Sequence, residues 1–302
     1  MNNKMKNNLL YDKNLKRNIN ESIFTIVASL LTIIAILPIL LVLSYVIYKG
    51  ISIISISVLT ELPEPPGDDL ISAGGIGNAI LGTLIVTSIA TFISVPIGVG
   101  GGIYLAEYSK GKSLAKFIRF GTNVLAAVPS IIAGVFIYII IVSTKLILNS
   151  NFSALAGGLA LSILMLPTIV KTTDEGLKLV PNDLRHASLG IGASKFTTIT
   201  QITLPAALST ISTGIILAIA RAAGETAPLI FTALFSFYWP SINGGLFEPI
   251  ASLSVLIYNF ALEPYEAQNQ LAWAASIILV SIVVLLNLFS RRLKDSSLIK
   301  SK

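Results

Sequence analysis

The sequence has no cysteine and a single histidine, His186. The first absence excludes disulfides, thiolate nucleophiles, iron–sulfur clusters and Cys-ligated zinc; the second leaves too few imidazoles for a His-based metal site. Charge is scarce too. Only 12% of the 302 residues are charged, against roughly 25% in a soluble domain. The hydrophobic share is 54% and the mean hydropathy +0.82. What charge there is comes in clumps. Uncharged runs of 27 residues separate Glu21 from Lys49, 37 separate Asp69 from Glu107, and 25 separate Arg119 from Lys145. Further runs of 25, 25 and 24 follow Lys145, Lys195 and Glu266. A helix crosses the hydrocarbon layer with about 20 apolar residues. The runs therefore predict an all-α polytopic membrane protein and exclude a soluble enzyme. Six transmembrane helices are expected at about 22–48, 78–104, 120–144, 152–170, 206–230 and 271–290. The first run is too long for a signal-peptide core and no small-x-small cleavage site follows it, so it is expected to stay as a span.

Between these spans the basic residues sort to one side. Eighteen of the 21 lie in 1–21, the second connection (Lys110 to Arg119), the fourth (Lys171 to Lys195) and the tail. The other side holds Lys49 and Lys145 among Glu61, Glu64, Asp68, Asp69, Glu248, Glu263 and Glu266. Lys and Arg collect in cytoplasmic loops, which puts a multi-pass protein in the cell membrane with both termini in the cytoplasm. Tyr45, Tyr48, Tyr104, Tyr108 and Trp273 fall at the expected lipid interfaces. Sorted in this way, the net charge of +6 points to the bilayer and not to nucleic acid.

Nucleotide motifs fail. Gly111-Lys112-Ser113 ends like a phosphate-binding loop, but Ala106 stands where the first glycine belongs and no strand precedes it. Gly98 and Gly102 suit close helix packing better than a dinucleotide turn. No cofactor, metal or ATP site is expected, so any ATP-driven transport needs a separate ATPase subunit.

Two features carry function. The inner connection from Lys171 to Pro205 reads as structured. Pro181 starts a helix capped by Asn182 or Asp183 and running over Leu184–Leu189, Gly190-Ile191-Gly192 stops it, a second begins near Ala193, and Pro205 opens the fifth span. Such a hairpin could lie on lipid headgroups or be gripped by a soluble partner. The second feature is Arg221 inside a span, with Glu225 four residues on and thus on the same helix face. Because a buried Arg costs at least ~2.5–3.5 kcal/mol on insertion scales, it must face protein or water. The pair either glues helices or marks a polar point on a solute path, where an Arg suits an anion.

His186-Ala187-Ser188, then Gly192, Ile202, Leu204 and Pro205, resembles the EAA loop of ABC importer permeases, with His186 and Ser188 departing from Glu-Ala-Ala. The resemblance implies a coupling loop docking on an ATPase, formed here by Asp183, Arg185, His186, Ala187, Ser188, Gly192, Ala193, Leu204 and Pro205. Arg221-Ala-Ala-Gly-Glu-Thr-Ala-Pro-Leu-Ile-Phe-Thr-Ala233 is similar to the signature of PstA-type permeases of phosphate-specific ABC importers. Similarity continues in Gly74-Gly75-Ile76-Gly77, Ile103-Tyr104-Leu105-Ala106-Glu107-Tyr108, Val128-Pro129-Ser130 and Ala272-Trp273-Ala274-Ala275. Ser254 departs from the Pro frequent in that family's Ser-Leu-Pro-Val run. The resemblance implies the type I ABC importer permease fold, with the permease domain at 71–290. Before it would lie the N-terminus, first helix and acidic outer loop (1–70), and after it a basic tail (291–302). It also implies a half-pore working with a PstC-like permease, an ATP-binding subunit dimer and an extracytoplasmic phosphate-binding protein. Rival readings are an ABC permease for sulfate or molybdate, or a secondary anion transporter. Inverted repeats would favour the last, and none is evident.

Overall fold

A computed structural model describes residues 15–67, 73–109, 113–144, 151–241 and 245–299. Among these, regular structure is helical except for one antiparallel bridge, Pro63 to Gly74. Five continuous helical stretches are long and apolar enough to cross a membrane: Glu21–Gly50, Gly77–Tyr108, Ala154–Lys178, Lys195–Ala223 and Glu266–Phe289. Two further helices, α4 (Ser113–Ala127) and Ser130–Ser143, bent by 103° to each other, together have the length and apolarity of a crossing, as a broken span or a re-entrant loop. A straight span was expected over 120–144, but Pro129 interrupts it. Proline donates no backbone hydrogen bond and disfavours helical geometry in the residue before it; Pro129 itself has ψ 139°, outside the helix.

The chain divides into two compact units at Lys49–Gly50. The first is α1 (Leu15–Gly50), continuous through Pro38. Its apolar side chains from Ile23 to Tyr48 are exposed almost throughout. Hydrocarbon offers no partner to polar groups, and accordingly Thr25, Ser29 and Thr32 return their hydroxyls to carbonyls four residues back, at 2.7–2.8 Å.

The second unit opens with the short α2 (Ile56–Thr60) and is built around α6 (Ala154–Lys178), 61% of whose apolar stretch is buried. On it pack α3 (Gly77–Ile103), α5 (Ser130–Ile137), α9 (Leu204–Ala223) and α10 (Ala227–Thr232). Lipid is as apolar as leucine, so packing and not dehydration holds such helices together, and small residues permit it. A Cβ on Gly98 would come within 2.7 Å of the Ile169 side chain, and one on Gly102 would collide with Thr173. Val86, Leu161, Met165, Ile169, Ala218 and Ala222 fill the centre. A second cluster joins the start of α3 to α11 (Leu253–Leu262) and α12 (Glu266–Ile299) through Ile76, Leu256, Phe260 and Leu271. Polar groups staple the 233–252 connection and the start of α11 to α3: Asn78 Nδ2 donates to the Ser236 carbonyl at 2.7 Å and the Leu253 N–H to Thr83 Oγ1 at 2.8 Å.

Three expected boundaries move. The fourth span runs to Lys178, so the first eight residues of the inner connection, Lys171 to Lys178, continue its helix. The fifth starts at Lys195 and not at Pro205, passing through the wide-turn (π) segment Ile199–Thr203. There the hydrogen bonds have already shifted register, and Pro205 in the first turn of α9 costs no donor the helix needs. The fifth span also ends at Ala223 and not near 230.

Candidate functional site

The functional residues expected from sequence gather in two places, one near each end of α9. Arg221 lies in its last turn, where a cation complements the carbonyl-rich helix end. Gly224 stops the helix; its N–H donates to the Arg221 carbonyl at 3.1 Å, and that of Glu225 to Ala222 at 3.2 Å. The chain breaks over Gly224-Glu225-Thr226 and restarts as α10 with Pro228 in its first turn. Two supports hold the break. Gly134 of α5 lies so close to Pro228 that a Cβ would be 2.5 Å from its Cα. Ser254 Oγ donates to the Glu225 carbonyl at 2.8 Å, a bond that proline at 254 could not make.

The Arg221 side chain is 64% exposed and Glu225 17%. They meet through one hydrogen bond, Nε to Oε1 at 3.4 Å, and the terminal guanidinium nitrogens have no partner among the described residues. Thr210, Leu217, Arg221 and Gly224 are exposed at helical spacing, so one face of α9 is uncovered in the single chain. A cation held this loosely, at the broken end of an apolar helix, can receive an anion on its free nitrogens.

At the other end, about 24 Å along the helix from Pro205 to Arg221, sits the knob of α7 (Asn182–Gly190) and α8 (Lys195–Thr198). Pro181, not Asn182 or Asp183, occupies the N-cap position and makes no side-chain cap bond; the Asn182 amide oxygen receives Arg185 Nη1 instead, at 3.3 Å. The helix stops as the glycine signal requires. Gly192 has φ +86°, its N–H reaches Leu189, and the Ala193 N–H reaches Ser188. Ser188, a departure from the Ala of the EAA pattern, is buried with its hydroxyl 2.9 Å from that of Thr198, tying α7 to α8. Ser194 caps α8 through Thr197 N–H. Asp183, His186 and Ala187 are exposed, and so are Leu184, Leu189, Ile191 and Phe196, which give the knob an apolar outer surface. Leu204 and Pro205 lead into α9.

Sequence reasoning missed the charges beneath the knob. Glu107 pairs with Arg185 at 2.7 Å, Asp174 takes Arg119 at 3.2 Å and Lys178 at 2.6 Å, and Lys195 Nζ lies 4.6 Å over the Tyr108 ring. The available signal was an acid placed among many bases at a span end. Also missed were α10 and α11, for which the 22 uncharged residues between Glu225 and Glu248 and the 14 between Glu248 and Glu263 were signs. Among the described residues no group of acids and His186 is placed to hold a metal.

Residues 98–296 match the family described as binding-protein-dependent transport system inner membrane component. The phosphate transport system permease protein PstA of Yersinia pestis is 43% identical over 80% of this chain and 79% of its own. The protein of that name from Pasteurella multocida is 42% identical over 81% and 84%, and PstA 1 of Mycobacterium tuberculosis H37Rv 36% over 91% and 87%. Among solved structures, the MetNI methionine ABC transporter in an inward-facing conformation superposes with TM-score 0.58 at 20% identity, over 72% of this chain and 94% of that one. A bacterial ABC transporter importing the acidic polysaccharide alginate gives 0.57 at 18% identity, over 93% and 99%. These two likenesses show the fold, that of ABC importer permeases.

Proposed function

Because the chain belongs to the binding-protein-dependent transport system inner membrane components, in their PstA branch, we propose that it is one half of the pore of an ATP-driven phosphate importer. It carries no ATPase of its own. The permease domain begins near residue 71, with the N-terminus, first helix and acidic loop before it and the basic tail from 291 after it. Both termini lie on the cytoplasmic side of the cell membrane, by the side on which eighteen of the 21 basic residues fall. A PstC-like permease covers the open face of α9, an ATP-binding subunit dimer takes the knob, and an extracytoplasmic phosphate-binding protein delivers solute at the acidic end.

The observation that carries this reading is Arg221. A guanidinium 64% exposed on an intramembrane helix is tolerable only against protein or water. Its planar fork suits two oxygens of phosphate. Glu225 keeps that grip weak: its carboxylate lowers the local positive charge, so an arriving anion is passed on and not retained. Selectivity then resides mainly upstream, in the binding protein. At the knob, closure of the ATPase dimer moves α7 and α8, and α9 conveys that movement toward the break.

The test is uptake of labelled phosphate into proteoliposomes holding all four kinds of subunit. Uptake is expected to need ATP, to resist excess sulfate and molybdate, and to fall at least about tenfold in Arg221→Gln, since charge-assisted hydrogen bonds would be lost. Full uptake in that variant would remove Arg221 from the path, and transport of sulfate in preference to phosphate would overturn the substrate.

A further inference from the structure

We propose that Glu107 is a positioning residue for energy coupling: by gripping Arg185 it makes the knob and the end of α3 move as one body. The inference rests on the reading that the knob docks on an ATPase, and adds where the movement goes.

Arg185 is the hub. Its Nη2 donates to Glu107 Oε1 at 2.7 Å and to the Leu177 carbonyl at 2.7 Å. Its Nη1 donates to the Val180 carbonyl at 2.7 Å, and its Nε to both Glu107 oxygens at 3.1 and 3.4 Å. One guanidinium thus joins the extension of α3, the end of α6 and α7. Both side chains are sheltered, Arg185 15% and Glu107 7% exposed. A sheltered pair is screened little by salt, and loss of one partner leaves the other charge uncompensated. The Arg119–Asp174–Lys178 cluster differs, since its cations are 41% and 52% exposed and it ties α4 to α6 and, through Arg119 Nη2 to the Leu105 carbonyl at 3.2 Å, to the end of α3, without touching the knob.

A second tie lies beside the first. Lys195, the first residue of α8, stands over Tyr108, the neighbour of Glu107. Each helix of the knob is therefore fastened to the same five residues, Tyr104–Tyr108, which form a wide-turn segment ending α3. On its far side the knob runs into another wide-turn segment, Ile199–Thr203, which opens α9. Such segments depart from regular α-helical bonding and are frequent at functional sites. Between them the two helices of the knob and Glu107 enclose a pocket of 340 Å³, lined by Glu107, Arg185, His186, Leu189, Lys195 and Ile199. The chain itself links the knob to α6, through Leu179-Val180-Pro181, and to α9, but not to α3. The Glu107 clamp adds α3, which lies on α6 through Gly98 and Gly102, so both helices flanking the core move together.

The test uses the assembled complex in proteoliposomes, with a single cysteine at Ile191, 86% exposed on the knob, for cross-linking to the ATPase. Glu107→Gln keeps size and loses charge. The cross-link and ATP hydrolysis should persist, while phosphate carried per ATP falls about tenfold or more, and Glu107→Asp should recover part of it. Unchanged phosphate per ATP in Glu107→Gln overturns the clamp, and so does a proportional fall of uptake and hydrolysis together, as simple damage would give. If Glu107→Gln does not assemble, Lys195→Met removes the second tie and is read by the same ratio; no change there also overturns the proposal. Absence of the cross-link in the parent protein would instead overturn the docking reading on which the clamp rests.

Discussion

Gly224 is a glycine that neither packing nor backbone demands. Its φ is −94°, open to any residue, and an added Cβ would meet only the carbonyl of Arg221 at 3.6 Å. Gly214, ten residues earlier on the same helix, is the opposite case: a Cβ there would strike Thr172. Gly214→Ala should therefore cost about 1–3 kcal/mol through overpacking. Gly224→Ala should leave stability within about 0.5 kcal/mol, measured as thermal unfolding in detergent, yet reduce phosphate uptake, because a methyl would intrude on the space before Arg221. Normal uptake in Gly224→Ala would show that space to be idle. Exchanging charges in the double variant Arg221→Glu, Glu225→Arg keeps an ion pair but shifts the cation about 5.4 Å along the helix. Uptake should not return, whereas a pair serving only to join helices would accept the exchange. Arg221 was legible in the sequence because one charge after 25 uncharged residues stands out. The bond from Ser254 to Glu225 was not, since nothing local to either residue announces a contact across 29 positions.

The knob was the most legible element and its underside the least. Helix signals are local: Pro181 fixes an entry and Gly192 an exit, and both act within a turn of themselves. The cap was misassigned, proline having taken the place expected for an amide or carboxylate, and the second helix starts at Lys195, two residues after Ala193. The φ of +86° at Gly192 gives a graded test. Asn tolerates that region, but a β-branched side chain meets roughly 1–2 kcal/mol of strain there. Gly192→Asn should retain most uptake; Gly192→Val should reach the membrane in normal amount, by immunoblot of membrane fractions, and lose transport. Equal uptake by both would mean that the shape of the turn does not matter to coupling. The bend between α4 and α5 and the short helices α10 and α11 escaped a reading based on long apolar runs. Each is too short to span alone, and each is held by neighbours distant in sequence, such as Gly134 against Pro228.

Across the whole molecule, the five long apolar helices were legible because every segment in lipid must satisfy its own backbone, which imposes a length that composition reveals. Their order of packing was not, because it depends on which small residues face which helix. Orientation follows from charge alone and can be measured cleanly, since the chain has no native cysteine. Cysteines at Glu61 and Glu263 should react with an impermeant maleimide added outside intact cells, and one at Ile191 only after permeabilisation; external labelling at 191 would invert the topology. The depth at which α6 is buried bears on how the protein is made. It is the least apolar of the five unbroken crossings and the most enclosed, with Gly157, Gly158, Ser162 and Thr173 among its buried residues. Newly synthesised, it meets lipid as a poor solvent and needs α3, made before it, already waiting with Gly98 and Gly102 to receive it. The pair is therefore expected to form before α9 and α10, made later, close over it, and a chain cut short between α6 and α9 should leave α6 half-wrapped and be lost from the membrane faster than the full chain in a pulse-chase.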